Sequence, residues 1–383
     1  MALHFSTHEF DNRKTKLIAA LEARGLDGLL MFEQESMFWL TGYDTFGFCF
    51  FQCLYLSTDG TLALLTRSAD LRQAQHTSIL TDIRVWKDGA VAAPADDLKA
   101  MLVDLGASGK RLGVEYASYG LTAANGKAVE AALDGTVTLE DGSGVVAKLR
   151  AVKGPAELAY VRKAGKLADH AWDRAVELAA PGVDEGAILA AMQGAIFDGG
   201  GDYPGNEFII GSGEDALLCR YKAGRRALAK DDQLTLEWAG AFRHYHAAMM
   251  RTIPIGQRTR RQLAYFEAAR EALLACEEEL RPGRTAGDVF QAHARVLDAH
   301  GLSSHRLNAC GYSLGAKFTP SWMDPPMFYE ANPWELQAGM VMFIHMIIMD
   351  SDSGTAMTLG RTSIVADDGP EAVSAAPLDL VVK

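Results

Sequence analysis

The stretch from Asp231 to Gly256, DDQLTLEWAGAFRHYHAAMMRTIPIG, holds two apolar runs on either side of a polar turn, a pattern that folds as a β-hairpin. Its strands are predicted over Gln233 to Ala239 and Tyr245 to Ile255, with Gly240 and the Phe242-Arg243-His244 corner between them. Glu237 then lies inside a strand among Leu234, Leu236 and Trp238, where an unpaired carboxylate is costly. Two explanations stay open: Glu237 is a functional acid or base, or it is a structural residue held by Arg251 on the return strand.

The chain has 383 residues, 49% hydrophobic and 22% charged, which is ordinary soluble composition and long enough for two domains. A net charge of -12 argues against nucleic acid or an anionic membrane as the main partner. The five cysteines, Cys49, Cys53, Cys219, Cys276 and Cys310, form no CxxC pair, so a reduced, cytoplasmic protein is expected. MALHFSTHEFDNRKTK carries no apolar leader, and the longest apolar run, Met340 to Met349, is broken by His345 and too short to span a bilayer.

In chain order, a helix over Thr7 to Arg24 stops at Gly25. Strands are then predicted at Gly28 to Phe32, Cys49 to Ser57, Leu62 to Thr66, Ile83 to Trp86, Arg111 to Tyr116 and Thr136 to Leu139, with helices between several of them. That alternation makes an α/β domain over residues 1–147. The aromatic stretch Met37 to Cys53 reads mostly as core, with a loop at Gly42-Tyr43-Asp44 that presents one or two rings to a ligand. Residues 148–383 change pattern: helices at Pro155 to Ala180 and Asp184 to Phe197, a strand at Phe208 to Gly211, a loop carrying Cys219, Arg220, Tyr221, Arg225 and Arg226, and the hairpin. Helices at Thr259 to Leu280 and Thr285 to His300 follow, then strands at Cys310 to Leu314, Met340 to Met349 and Gly354 to Ala366, with a Pro- and Trp-rich loop from Phe318 to Trp334. Helix pair, strands, helix pair, strands is the order of an internal duplication.

Several of these segments carry a resemblance. Leu149-Arg150 with Lys153 and Glu157, Phe208 to Gly213, Arg251 to Gly256, Arg281-Pro282-Gly283 and Ala338 to Val341 are similar to the creatinase, Xaa-Pro peptidase and methionine aminopeptidase superfamily. The resemblance implies a creatinase-type α/β N-terminal domain followed by an α+β pita-bread catalytic domain. Metallopeptidases of that superfamily hold two metal ions with two aspartates, a histidine and two glutamates. Carried over by motif, those positions fall at Glu237, Ala248, Tyr312, His345 and Gly360. At most two retain a ligand-capable side chain, so no metal cofactor is expected. His244-x-His246 offers a second conceivable metal pair, without an evident third ligand.

Metal-free chemistry in the superfamily belongs to creatinase and the ectoine hydrolases, which open carbon–nitrogen bonds of small zwitterions. This sequence resembles the ectoine hydrolases more closely, through Trp39 to Asp44, Gln52-Cys53, Asp202-Tyr203-Pro204, Tyr245-His246 and Gly311-Tyr312. Their loop histidine is replaced here by Arg220, which binds carboxylates but does not shuttle protons. The implied site has Glu237 as nucleophile or base, His345 as acid/base and Tyr312 as a hydrogen-bond donor to developing charge. Arg220 and His246 would contact substrate, with Phe46 or Phe48 from a partner subunit of a homodimer and Trp322 as walls. Cys219 is an alternative nucleophile if its basic neighbours lower its pKa. The competing functions are a Xaa-Pro peptidase, and a lyase or non-catalytic binding protein on the same scaffold.

Overall fold

The computed structural model describes residues 3–220 and 226–383; Tyr221 and Arg225 of the basic loop lie outside the described residues. The backbone divides into two compact units, one ending at Arg150 and one running Ala151–Lys383. No helix among the described residues is long and apolar enough to cross a membrane.

The first unit contains α1 (Thr7–Glu22), β1 (Gly28–Met31), α2 (Gln34–Thr41), β2 (Cys53–Ser57), β3 (Leu62–Arg67), α3 (Leu71–Thr77), β4 (Asp82–Trp86), α4 (Pro94–Asp104), β5 (Arg111–Val114), α5 (Ala123–Leu133), β6 (Thr138–Asp141) and α6 (Val145–Ala151). Its six strands lie in the order β4-β3-β2-β1-β5-β6. The pairs β1–β2 and β2–β3 are antiparallel and the others parallel, as the intervening helices require. The sequence predicts a loop at Gly42-Tyr43-Asp44 within a mostly core aromatic stretch, and a strand from Cys49. The structure instead makes α2, a short 3-10 turn at Gly47–Cys49, and a strand that starts only at Cys53. All eight residues of α2 are buried, so no polar face marks it as a helix in the sequence.

The second unit contains α7 (Pro155–Leu178), α8 (Glu185–Asp198), β7 (Ile209–Ser212), β8 (Asp232–Phe242), β9 (Tyr245–Ile255), α9 (Arg260–Glu278), α10 (Ala286–Ala299), β10 (Ala309–Ser313), β11 (Asp324–Tyr329), β12 (Val341–Asp350), β13 (Thr355–Ile364) and β14 (Glu371–Ala372). Eight strands form one antiparallel sheet, β11-β10-β12-β13-β9-β8-β7, with β14 on β13. Asp184, Thr259 and Thr285 cap their helices through side-chain oxygens, each such cap contributing about 1 kcal/mol. The helices cover one face of the sheet. Met342, Ile344, Met346 and Ile348 of β12, with Met357 and Leu359 of β13, pack against α9 and α10. Trp238 of β8 stacks on Trp172 of α7 at 5.6 Å and donates to the Ala168 carbonyl at 2.9 Å.

Two details of the second unit differ from expectation. Gly240 is not part of the turn: β8 runs on to Phe242, and the corner is only Arg243 and His244, both at positive φ (53° and 65°), the geometry of a tight two-residue hairpin. Gly240 is needed because α7 crosses there, and a Cβ would lie 2.0 Å from the Ala164 carbonyl oxygen. The Phe318 to Trp334 segment is also not all loop. Asp324–Tyr329 forms β11 despite Pro325 and Pro326, which is possible because β11 is an edge strand.

Candidate functional site

Strand register brings the site together. Residues directly opposite one another share a face, and alternate residues along a strand return to it. Glu237 faces Met250, Met250 faces Gly360, Gly360 faces His345, and Phe343, two residues before His345, faces Tyr312. Ala248, two residues before Met250, lies on the same face. Glu237, Ala248, Tyr312, His345 and Gly360 therefore share the face opposite the one α9 and α10 cover. Arg251 faces Leu236 and so lies on the helix side, where its Nη1 donates to the carbonyls of Met250 at 2.8 Å and Gly360 at 2.5 Å. It is not the partner of Glu237.

Glu237 is buried, and the Tyr312 hydroxyl donates to its Oε1 at 3.3 Å. Burial pushes its carboxyl up to about 7, against the Tyr312 hydrogen bond and the Arg220 charge, which both favour ionisation. At neutral pH the group is poised between acid and base. Tyr312 is pushed well above the ordinary phenol range by burial and then by Glu237, so it keeps its proton. Its oxygen accepts from Trp322 Nε1 at 2.8 Å. The proton of Tyr312 is thus engaged with Glu237.

His345 packs 5.6 Å from Tyr312 and 5.4 Å from Phe343, and its buried Nδ1 has no hydrogen-bond partner among the described residues. Burial, with Arg220 adding to it, holds the imidazole down at about 4, so His345 is neutral near pH 7, with one ring nitrogen to donate and one to accept. Arg220 is exposed at the edge of this cluster, its charge acting on Glu237, Tyr312 and His345 alike. Cys219 sits beside it, but burial and then Glu237 raise its thiol above the ordinary value. That opposes the thiolate a cysteine nucleophile requires.

Two expected substrate contacts are occupied otherwise. His246 Nε2 accepts from the Gly205 backbone N–H at 2.8 Å, and Nδ1 faces the Gly315 carbonyl at 3.3 Å. With both nitrogens used and burial holding it at about 4, His246 braces the loops around the site and has no group left for a substrate. Trp322 is fully buried and spends its one polar atom on Tyr312, so it too supports the site from behind. Phe46 and Phe48 belong to the first unit; Phe46 is 78% exposed and Phe48 is buried. Sequence reading missed Phe343, although its position two residues before His345 signals the same face.

The donor set does not fit a dinuclear metal centre. Of the five positions only Glu237 and His345 carry a donor suited to a metal, and among the described residues no three His, Cys, Asp or Glu gather at one point. At Gly360 a side chain would meet the Ile344 carbonyl oxygen at 2.9 Å and the Phe343 ring at 3.0 Å, so Phe343 fills the space a ligand there would need.

A family model described as metallopeptidase family M24 matches residues 159–367, and one described as creatinase/prolidase N-terminal domain matches residues 13–152. The ectoine hydrolase of Halomonas elongata is 27% identical over 100% of this chain and 99% of its own length. The Xaa-Pro dipeptidase of Pyrococcus furiosus is 23% identical over 62% of this chain and 67% of its own. The prolidase of Thermococcus sibiricus superposes with a TM-score of 0.89 at 18% identity, over 99% of this chain and 100% of that one, a likeness of fold alone. The helix pairs packed on one antiparallel sheet and these matches make the chain a member of metallopeptidase family M24 with a creatinase-type N-terminal domain, and a hydrolase acting on carbon–nitrogen bonds.

Proposed function

We propose that the chain is a metal-independent hydrolase that opens a carbon–nitrogen bond of a small zwitterionic amino-acid derivative, in the manner its ectoine hydrolase relative's name suggests. The observation that carries the reading is Glu237, a buried carboxyl poised at about 7 on a face whose other family ligand positions hold Ala248, Tyr312, His345 and Gly360. A carboxyl of that kind serves as nucleophile toward an amide or amidine carbon, or takes a proton from an attacking water. In the water route that proton passes from the carboxyl to the leaving nitrogen as the carbon–nitrogen bond breaks, neutral His345 accepts a hydrogen bond from the attacking water, and Arg220 binds the substrate carboxylate by paired hydrogen bonds. Phe46 of a second subunit closing the site belongs to the same proposal, and size measurement by light scattering together with Phe46→Ala tests it.

Similarity to the Pyrococcus furiosus Xaa-Pro dipeptidase favours a second reading, a peptidase of that kind. Elemental analysis of chelator-treated protein, with a turnover screen of ectoine, other cyclic and methylated amino-acid derivatives and a Xaa-Pro dipeptide, separates the two. Metal-free turnover of a small zwitterion that Glu237→Gln abolishes supports the first. Stoichiometric manganese or cobalt with dipeptide cleavage replaces it with the second.

A further inference from the structure

An indole N–H can only donate, whereas a phenol both donates and accepts. Trp322 Nε1 lies 2.8 Å from the Tyr312 oxygen, and that oxygen lies 3.3 Å from Glu237 Oε1. Because the indole can only donate, the phenol proton is left with Glu237 Oε1 as its partner among the described residues. The chain of donors runs one way, from Trp322 through Tyr312 to the carboxyl.

We propose that Trp322 is a positioning residue that locks the Tyr312 hydroxyl as a donor to Glu237 Oε1, leaving Oε2 as the oxygen that works on the substrate. The inference rests on Glu237 being the working carboxyl and deepens that reading. Without the indole, the Tyr312 hydroxyl could rotate and accept from a protonated Glu237, and the two carboxyl oxygens would lose their distinct roles. Trp322 is itself held in place: its backbone N–H donates to Asn206 Oδ1 at 3.1 Å, and its ring packs 6.4 Å from His246, which the Gly205 and Gly315 backbone fixes. A fully buried tryptophan whose polar atom reaches a site tyrosine rather than a main-chain carbonyl is poorly explained by packing alone.

The test is a double-mutant cycle on kcat and KM with Trp322→Phe, Tyr312→Phe and the pair, on the substrate the screen identifies. Trp322→Phe is expected to lower kcat by roughly tenfold with KM changed less than about twofold, the scale of one positioned hydrogen bond. In the Tyr312→Phe background it should lower kcat no further, because Trp322 acts only through Tyr312. An unchanged kcat, or the same fall in both backgrounds, overturns the proposal. A second measurement needs no turnover. In 15N-labelled protein the indole resonance lost in Trp322→Phe identifies Trp322, and Tyr312→Phe should move that resonance upfield and speed its hydrogen exchange. An unmoved resonance overturns the proposal even if Trp322→Phe does not fold well enough for kinetics. Glu237→Gln with full turnover would instead sink the reading of the site while leaving the resonance shift intact, so the two failures are distinguishable.

Discussion

Replacing Glu237 by Gln should make the protein more stable at alkaline pH while removing its activity. Glu237 titrates at about 7 in the folded chain against an ordinary 4.5, the main cause being burial. A carboxyl raised in the folded state holds its proton more tightly there than in the unfolded chain. Folding stability therefore falls as pH rises from about 4.5 to about 7, and the full cost is present above that range. At about 1.36 kcal/mol per pH unit, the gap corresponds to roughly 3 kcal/mol. Glutamine has the same shape, accepts the Tyr312 hydrogen bond and carries no charge to desolvate. Urea unfolding followed by tryptophan fluorescence at pH 5 and pH 8 should show the variant gaining on the parent between the two, by up to about that amount. A stability difference that is the same at both pH values would refute the reasoning, since it would mean that ionising Glu237 costs nothing in the fold. A gain for the parent at pH 8 would mean that an unrecognised cation pairs with the carboxylate.

Other perturbations test the parts of the site separately. Gly240→Val places side-chain carbon where the Ala164 carbonyl lies 2.0 Å from a Cβ, and should lower Tm by several degrees by forcing α7 off β8, measured by circular dichroism. Restoring donors with Ala248→Asp, Tyr312→His, His345→Glu and Gly360→Glu should still bind fewer than two manganese ions by elemental analysis while Phe343 is kept, because its ring stands 3.0 Å from a Cβ at 360. Glu277 accepts from Arg361 Nε at 2.8 Å and Nη2 at 2.5 Å and from Ser363 at 2.8 Å, so Glu277→Ala should cost about 3 kcal/mol or more in urea unfolding by stranding a largely buried guanidinium.

Much of the site could be read from the chain because it depends on alternation and motif order. The hairpin, the helix pairs with their Asp184, Thr259 and Thr285 starts, and the family positions at Glu237, Tyr312 and His345 are all local features. Where local signals are absent the elements are hidden in the sequence: α2 is buried all round and shows no amphipathic period, and β11 carries two prolines that only an edge position tolerates.

Residue types and their spacing were enough to say that two families of structure follow one another here, that a carboxyl lies inside a strand, and that the family's metal donors are mostly gone. What each polar atom does was decided only by tertiary structure. Register put Arg251 on the helix side and Glu237 on the other. Folding turned His246 and Trp322 from candidate substrate contacts into supports, because their nitrogens meet the Gly205 and Gly315 backbone and the Tyr312 oxygen. It also set Glu237 near 7 and His345 near 4, since burial depends on what the rest of the chain packs around a side chain. Hydrogen-bond partners and desolvation arise between segments far apart in sequence, and so no local pattern encodes them.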